Sequence, residues 1–195
     1  LNYKLQKAAY DALGNQKGAV VALEPSTGKI LVMVSKPAYD PNRVEQNWDS
    51  LIKDSNEDSA LVNRATQGLY PPGSTFKILT AIEYMQENKD TYQKFRYRCK
   101  GSDSFSGNVI NCYDREQHGR LNLKTAFAKS CNGAFAEIGT TLNRKSFASL
   151  AEKFKFNKNL SVDFEYNKSK FSLNESSDMG ELTQTVIGQG KTMIT

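Results

Sequence analysis

Apolar residues recur at helical spacing near the start of the chain and then gather into two strand-length runs. The first pattern predicts a helix over residues 2–13 that ends at Gly14. The two runs cover residues 18–24 and 29–35 and flank a Pro-Ser-Thr-Gly turn, an arrangement typical of an antiparallel hairpin. The pattern therefore predicts a helix followed by a two-stranded sheet.

A long polar connection follows over residues 36–70 and includes the acidic and polar run 54–59. A connection of this length within a compact domain is usually functional or mobile. A Pro-Pro-Gly sequence then breaks the chain, and an amphipathic helix is predicted from Ser74 to about Asn88.

The C-terminal half alternates short helical patterns with polar segments. Residues 89–120 and 157–182 are rich in polar residues and are predicted to be mostly loop. Three helices are predicted between them, over residues 123–128, 134–142 and 147–154. A Ser-Cys-Asn-Gly sequence at residues 130–133 separates the first two of these helices.

The composition is that of a soluble globular domain, with 38% hydrophobic and 24% charged residues. At ~150 residues per domain, the 195 residues correspond to one domain or slightly more. No run approaches the ~20 apolar residues of a membrane-spanning helix, and no signal-peptide pattern is present. The net charge of +5 is spread along the chain, which argues against a nucleic-acid-binding surface.

Three cysteines and one histidine raise the question of a disulfide or a metal site. Cys99 and Cys112 lie in a predicted loop, where a disulfide is possible and would suit an exported protein. Cys131 lies in a helical context and is predicted to be a buried thiol. A zinc site would need the first two cysteines, His118 and a fourth ligand, and no paired C-x-x-C motif supports it. We therefore predict no metal-binding residues.

The candidate chemistry centres on serine. The single histidine lies in a predicted loop and no G-x-S-x-G motif exists, so a Ser-His-Asp triad has weak support. A lysine one helical turn later can activate a serine instead, in the pattern Ser-x-x-Lys. About 1.7 such pairs are expected by chance from this composition. The sequence contains three, namely Ser26/Lys29, Ser50/Lys53 and Ser74/Lys77.

The sequence context favours Ser74 and Lys77. Ser26 lies in the hairpin turn and Ser50 in the polar connection, whereas Ser74 follows the Pro-Pro-Gly break and opens a helix. The N-terminus of that helix favours negative charge on the serine oxygen, and Lys77 would project beside it on the same face. The alternative is an ordinary N-cap serine and a surface lysine.

A Ser-x-Asn pattern could supply a second hydroxyl and an amide, although about 1.4 copies are expected by chance. Three occur, namely Ser106/Asn108, Ser130/Asn132 and Ser172/Asn174. Only Ser130/Asn132 lies in a tight break between two helical segments, where both side chains could be held toward a cleft. The alternative is a helix-ending loop in which Asn132-Gly133 is left-handed.

Together, these segments resemble the transpeptidase domain of penicillin-binding proteins of the class B, monofunctional type. The resemblance follows the order of the family along the whole chain. It rests on the hairpin 18–35, the segment 37–42, the nucleophile segment 63–77 with Pro-Pro-Gly-Ser-Thr-Phe-Lys, the second-motif segments 118–123 and 130–132, and the Ile-Gly-Gln-Gly segment 187–190.

The resemblance implies roles for four residues. Ser74 would be the acylated nucleophile and Lys77, kept neutral by burial, would take its proton. Ser130 would relay that proton to the leaving group, and Asn132 would bind the substrate amide and help to hold Lys77. The Ser74 N–H would serve the oxyanion hole. The implied reaction transfers an acyl group from a D-Ala-D-Ala stem peptide to a neighbouring amino group, and it needs no cofactor.

The implied fold is α+β, the three-layer penicillin-binding and β-lactamase-like fold, but this chain is expected to hold only part of it. The third motif of the family, Lys-Ser/Thr-Gly, follows the Gly-Gln-Gly segment, and Lys191-Thr192-Met193 lacks its glycine. Residues 1–195 are therefore expected to be a partial transpeptidase domain that lacks the C-terminal strands and is inactive by itself. The hairpin would be left with an exposed edge.

The resemblance also implies partners and a location. The expected partners are peptidoglycan stem peptides, β-lactam antibiotics, other cell-wall synthesis proteins and a remaining C-terminal piece of the domain, with no nucleic acid. The implied location is the extracytoplasmic side of the bacterial cell membrane, with an anchor outside this chain. Two alternatives stay open, namely a serine β-lactamase and a β-lactam sensor or inactive binding module.

Overall fold

The computed structural model describes residues 1–53 and 59–195, so most of the acidic run at 54–59 lies outside the described residues. Within the described ranges the chain forms seven α-helices and six strands, which pair as three two-stranded antiparallel sheets. This architecture agrees with the predicted α+β class. None of the helices in these ranges combines the length and the apolar character required to cross a bilayer.

The helices are α1 (Tyr3–Ala12), α2 (Val44–Leu51), α3 (Lys77–Glu87), α4 (Leu123–Ala128), α5 (Asn132–Thr141), α6 (Arg144–Lys153) and α7 (Met179–Thr185). The strands are β1 (Gly18–Leu23), β2 (Ile30–Lys36), β3 (Tyr97–Cys99), β4 (Ser102–Phe105), β5 (Asn108–Asn111) and β6 (Gly119–Leu121). The sheets pair β1 with β2, β3 with β6 and β4 with β5. Short 3-10 helices cover Pro41–Arg43, Gly73–Phe76, Tyr92–Lys94 and Tyr113–Arg115.

The chain divides into two compact units. The first comprises residues 1–69 and 162–167 with Thr195, and the second comprises residues 70–161 and 168–194.

In the first unit, the predicted helix and hairpin are both present, and α1 packs against β2 of the hairpin. The Gln6 side chain donates to the Met33 carbonyl at 2.6 Å and accepts from the Met33 N–H at 2.9 Å, which ties the helix to β2. The hairpin turn closes where the Gly28 N–H donates to the Glu24 carbonyl at 2.8 Å. Gly28 has a φ of 72°, a conformation that glycine adopts without steric cost.

Helix α2 corrects the prediction that residues 36–70 are an unstructured connection. The Asp40 side chain accepts from the Asn42 N–H at 2.9 Å and caps the 3-10 helix that begins at Pro41. An acidic residue followed by proline is a helix-start signal, and α2 continues directly from this turn. The length and polarity of the segment obscured that signal.

The core of the second unit surrounds α5, whose buried residues are Gly133, Ala134, Phe135, Ala136, Ile138 and Gly139. A side chain at Gly139 would collide with Val186, so the glycine permits the close approach of the segment after α7. Four phenylalanines form a second part of this core, namely Phe76, Phe147, Phe156 and Phe171. Their rings anchor the start of α3 to α6.

Two predicted loops contain regular structure that lies in the second unit. Residues 89–120 hold β3, β4 and β5 and the start of β6, all three or four residues long and largely polar, so no hydrophobic alternation reveals them. Residues 157–182 contain the start of α7, where the Asp178 side chain accepts from the Glu181 N–H at 2.7 Å. The helices predicted over 123–128, 134–142 and 147–154 correspond to α4, α5 and α6.

We expect Phe147→Ala to destabilise the second unit strongly. The side chain is fully buried, with its ring centroid 5.3 Å from that of Phe171 and 5.9 Å from that of Phe76. Removing a buried phenylalanine ring costs about 3–5 kcal/mol in the free energy of unfolding. Urea denaturation measures the loss. The matched control is Phe154→Ala, whose side chain is 48% exposed and should cost no more than about 1 kcal/mol. Equal losses in the two variants would contradict this packing.

Candidate active site

The turn that carries Ser74 is fixed by two glycines. Gly73 has a φ of 58°, and its N–H donates to the Gly188 carbonyl at 2.8 Å. A side chain on Gly188 would collide with the Gly73 backbone, so the two segments approach as closely as glycine allows. The 3-10 helix Gly73–Phe76 then runs directly into α3 and places Ser74 at its entrance.

The Lys77 amine lies at the centre of the site. Lys77 is the first residue of α3, and only 1% of its surface is exposed. Its Nζ donates to the side-chain oxygens of Ser74 at 3.2 Å, Ser130 at 2.9 Å and Asn132 at 2.6 Å, and to the Ser130 carbonyl at 2.7 Å. One amine therefore joins the turn before α3 to the turn before α5.

Burial determines the protonation of this amine. Desolvation lowers the pKa of Lys77 from 10.5 to about 8, against smaller opposing contributions from Cys131 and Cys112. A lysine in this range is mostly protonated at pH 7 yet supplies a substantial neutral fraction slightly above it. A neutral amine can accept a proton from the Ser74 hydroxyl, which lies within hydrogen-bonding distance.

The turn at Ser130 presents two polar side chains on one side. Ser130 has a φ of 50°, and Cys131 caps α5 by accepting from the Ala134 N–H at 3.4 Å. Asn132 is the first residue of α5, and its Nδ2 donates to the Asn111 carbonyl at 2.8 Å. The alternative in which Asn132-Gly133 ends a helix is wrong, because the left-handed residue is Ser130 and Asn132 begins the helix.

These residues line an open cavity of about 420 Å³. Its walls are formed by Gly73, Ser74, Asn111, Cys112, Tyr113, Glu116, His118, Lys129, Ser130, Asn132, Ile187 and Gln189. Glu116 is the one carboxylate in this lining, and its Oε2 lies 3.5 Å from His118 Nε2. Ser74 is exposed and lines this cavity, so a ligand that enters the cavity can reach the Ser74 hydroxyl.

The structure brings together the four residues selected from the sequence, and residues of the competing motifs have other contacts or positions. The Ser50 hydroxyl donates to the Asn47 carbonyl at 2.8 Å, and Ser26 lies in the turn of the first hairpin. Lys191 of the rejected Lys-Thr-Met sequence lies 3.9 Å from the Glu181 carboxylate. The geometry agrees with the predicted proximity of Ser74 to Lys77, while the catalytic roles stay predictions.

The sequence did not identify two supporting residues, Asn111 and Gly188. Asn111 contributes only its backbone carbonyl to the site, so no residue pattern could reveal it. Gly188 carries a signal in the Gly-Gln-Gly sequence, since repeated glycines often mark a close backbone approach. Its hydrogen-bond partner, Gly73, lies 115 residues earlier in the chain, and no local sequence pattern indicates that contact.

Comparison with known proteins extends this description. The family model "Penicillin binding protein transpeptidase domain" matches residues 18–195. The peptidoglycan D,D-transpeptidase PbpA of Mycolicibacterium smegmatis is 36% identical over 167 residues, which cover 77% of this chain and 34% of that protein. MrdA of Escherichia coli is 28% identical over 179 residues, which cover 87% of this chain and 27% of that protein.

Solved structures of penicillin-binding proteins align with this chain over its whole length. Penicillin-binding protein A from Mycobacterium tuberculosis, as an imipenem acyl-enzyme complex, matches with a TM-score of 0.87 and 31% identity. The match covers 100% of this chain and 48% of that one. PBP2 of Pseudomonas aeruginosa, in complex with WCK 5153, matches with a TM-score of 0.89 and 28% identity, over 100% of this chain and 45% of that one.

The matching region is a limited part of the relatives. This chain spans about a third of the length of the curated PbpA protein that it matches, at 34%. The family model nevertheless covers all but the first 17 residues of the chain. The chain therefore belongs to the penicillin-binding protein transpeptidase domain family, with class B proteins as its relatives.

Proposed function

We propose that this chain carries the nucleophile half of a peptidoglycan D,D-transpeptidase site. The observation that carries the proposal is the buried Lys77 amine, within hydrogen-bonding distance of the Ser74 and Ser130 hydroxyls and the Asn132 amide oxygen. The substrate would be a stem peptide that ends in D-Ala-D-Ala. The membership of the chain in the transpeptidase family supports this assignment.

The first step is acylation of Ser74. Neutral Lys77 takes the proton of the Ser74 hydroxyl as its oxygen attacks the carbonyl carbon of the penultimate D-Ala. The Ser74 N–H at the helix entrance stabilises the oxyanion. Ser130, whose Oγ lies 2.9 Å from Lys77 Nζ, passes its proton to the amide nitrogen as the C–N bond breaks and receives in return the proton that Lys77 took from Ser74. Terminal D-Ala leaves and an ester on Ser74 remains.

The second step transfers the acyl group. An amino group of a neighbouring peptide strand attacks the ester, its proton returns through Ser130 and Lys77, and Ser74 is released with its hydroxyl restored. Asn132 positions the donor peptide by hydrogen bonding its backbone amide while its Oδ1 holds Lys77 at 2.6 Å. No metal or organic cofactor takes part in these bond changes.

β-Lactams are proposed to acylate the same serine. The Mycobacterium tuberculosis relative has been solved as an acyl-enzyme with imipenem, and that site is part of a longer protein. A persistent ester is expected here, because the single carboxylate among the described cavity residues, Glu116, is 65% exposed in its side chain and faces His118. A serine β-lactamase would need a base that activates water beside the ester.

Stem peptides, other cell-wall synthesis proteins and an extracytoplasmic location stay predictions.

The first test is covalent labelling of the protein at its natural length with a penicillin. We expect one adduct per chain on Ser74, detected by intact-mass and peptide mass spectrometry, and no adduct in Ser74→Ala. The matched controls are Ser26→Ala and Ser50→Ala, which remove the serines of the other two Ser-x-x-Lys matches and should retain full labelling. Labelling that persists in Ser74→Ala would overturn the proposal, and turnover within seconds would indicate a β-lactamase instead.

The second test is the pH dependence of that acylation. Because Lys77 must be neutral and its pKa is about 8, the acylation rate should rise with pH and level off above 8. At pH 7 we expect about a tenth of the plateau rate. The side chains that hydrogen-bond the amine are the hydroxyls of Ser74 and Ser130 and the amide of Asn132, none of which titrates in this pH range, and Cys131 and Cys112 lie near enough to raise its pKa slightly. A rate that stays constant from pH 6 to pH 9 would contradict the role of Lys77 as the base.

The third test concerns Gly188, which packs against the backbone of Gly73, the residue before Ser74. Gly188→Ala should reduce the acylation rate at least tenfold, because its Cβ would displace the Gly73 backbone and with it Ser74. Gly107→Ala is the matched control, since Gly107 also has a positive φ, of 85°, but has open space around its Cβ position. The two variants share backbone strain and differ only in the collision. Equal acylation rates in both would show that this contact does not position Ser74.

A further inference from the structure

Three arginines line a cavity beside the two-stranded sheet of β3 and β6. This arginine cavity has a volume of about 470 Å³ and is formed by Arg96, Tyr97, Arg98, Arg120 and Leu121. It shares no lining residue with the candidate active-site cavity, so a ligand could occupy it while Ser74 stays accessible. All three arginines are exposed, and no carboxylate occurs among the described residues of the lining. The cavity therefore carries charge of a single sign, which the transpeptidase chemistry does not use.

The register of the sheet places two of these arginines directly opposite each other. Arg98 of β3 pairs with Arg120 of β6. Because side chains alternate along a strand, both extend from the face opposite to that of buried Cys99 and Leu121. The Cβ atoms of directly opposed residues are about 4.5–5.5 Å apart, and like charges in such a pair destabilise a sheet. An anion between the two guanidinium groups would remove this repulsion.

Among the described residues, no acidic side chain supplies that anion. Within residues 1–53 and 59–195, neither Arg98 nor Arg120 forms an ion pair with a carboxylate. The carboxylate of Asp103 on β4 instead accepts from the Tyr97 hydroxyl and from the Ser104 N–H, both at 2.9 Å. We therefore expect the balancing anion to come from a ligand.

The backbone holds the third guanidinium in place. Arg96 Nη1 donates to the carbonyls of Gln93 at 2.8 Å and Phe95 at 2.7 Å. These bonds use both N–H groups of Nη1 and leave the donors of Nε and Nη2 for a ligand. A side chain that is ordered before binding loses less conformational entropy when the ligand arrives. Arg96 precedes Arg98 by two residues, a separation of about 7 Å along an extended chain.

We propose that Arg96, Arg98 and Arg120 bind a polyol phosphate polymer, with one phosphodiester group on the opposed pair and another on Arg96. The planar fork of arginine matches two oxygens of a phosphate group. Two cationic positions about 7 Å apart favour a ligand with repeated charges over a single ion. The cavity of about 470 Å³ also lies within the range of about 300–1,000 Å³ that is typical of sites for larger ligands.

Two other polyanions fit this lining less well. The charged side chains of the cavity offer donors only, and the Tyr97 hydroxyl is already bound to Asp103. An acidic peptide brings backbone N–H groups that need acceptors, whereas phosphodiester groups are acceptors alone. A single-stranded nucleic acid needs exposed aromatic side chains on which its bases stack, and Tyr97 is only partly exposed. These features favour a phosphate polymer whose repeats are uncharged polyols.

The direct test is the binding of fluorescently labelled poly(glycerol phosphate) to the protein at its natural length, measured by fluorescence anisotropy. We expect affinity to fall as salt rises, with a slope of about −2 in log K against log salt concentration, because three cations displace counterions of the polymer. An affinity that does not change with salt would overturn the proposal.

Variants locate the binding site. Arg96→Gln, Arg98→Gln and Arg120→Gln should each weaken binding about tenfold or more, because each removes charged hydrogen bonds to phosphate. The matched control is Arg115→Gln, which changes the net charge equally at an exposed arginine outside the arginine cavity and should leave the affinity unchanged. Equal losses in all four variants would show a general effect of charge and would overturn the site.

Competition identifies the class of ligand. Inorganic phosphate, phosphatidylglycerol vesicles, single-stranded DNA and a polyglutamate peptide are added at equal concentrations of negative charge. Unlabelled poly(glycerol phosphate) should displace the labelled polymer most effectively. Inorganic phosphate that competes equally well would overturn the requirement for repeated charges. Stronger competition by the vesicles, the DNA or the peptide would overturn the polymer and identify the other class of partner.

Stability gives a second measure of the arginine pair. Because Arg98→Gln and Arg120→Gln each remove the repulsion, neither should lower the urea midpoint of unfolding. The polymer should raise the midpoint of the wild type more than that of either variant, since it binds the folded state. A lower midpoint in both variants would show that the pair stabilises the fold by itself and would overturn its assignment as an anion site.

Penicillin labelling separates this inference from the proposed function. Because the two cavities share no lining residue, the three arginine variants should retain labelling of Ser74 at the wild-type rate. Polymer binding without any Ser74 adduct would support the arginine cavity and overturn the proposed function. Labelling of Ser74 without polymer binding would overturn the polymer site and support the proposed function.

Discussion

Burial of the Lys77 amine is the constraint on which the site depends. A buried ammonium group is unfavourable unless oxygens replace its hydration, and here these oxygens come from Ser74, Ser130 and Asn132. The same burial brings its pKa close to neutrality, so one physical effect both assembles the residues and adjusts the base. Displacing any acceptor would change both properties together. The position of Lys77 beside Ser74 therefore depends also on the turn at Ser130, which lies more than 50 residues later in the chain.

Successive side chains of the turn from Ser130 to Asn132 point to opposite sides of the backbone. Ser130 and Asn132 contact Lys77, whereas Cys131 between them contacts Cys112 and caps α5. The left-handed conformation of Ser130 makes this division possible over three residues. Gly133 completes it, since any side chain there would collide with the Tyr97 hydroxyl on β3, the strand that carries Cys99. The burial of the Cys131 thiol and the contacts of Ser130 and Asn132 with Lys77 are therefore two consequences of one local backbone geometry.

Contacts between residues close in the chain leave a signal in the sequence, whereas contacts between distant segments do not. The Ser74–Lys77 pair was predictable, because helical spacing and a Pro-Pro-Gly break suffice to place the two side chains together. The approach of Asn132 to Lys77 spans 55 residues and was predicted only through the family resemblance. Helices α2 and α7 had capping signals within polar sequence that concealed them. The proximity of Cys131 to Cys99 and His118 has no signal in the sequence, because it arises from the pairing of β3 with β6 and the packing of α5 against β3.

The two possible states of the cysteines differ in their effect on Asn132. A disulfide between Cys112 and Cys131 would draw two sulfurs from 3.7 Å to about 2.05 Å. Both residues lie next to groups that hold Asn132, so this contraction would act directly on the contact from its Nδ2 to the Asn111 carbonyl. As free thiols, the two sulfurs keep their present separation. The observed contacts of Asn132 with both Lys77 and Asn111 are therefore compatible with reduced cysteines and sensitive to their oxidation.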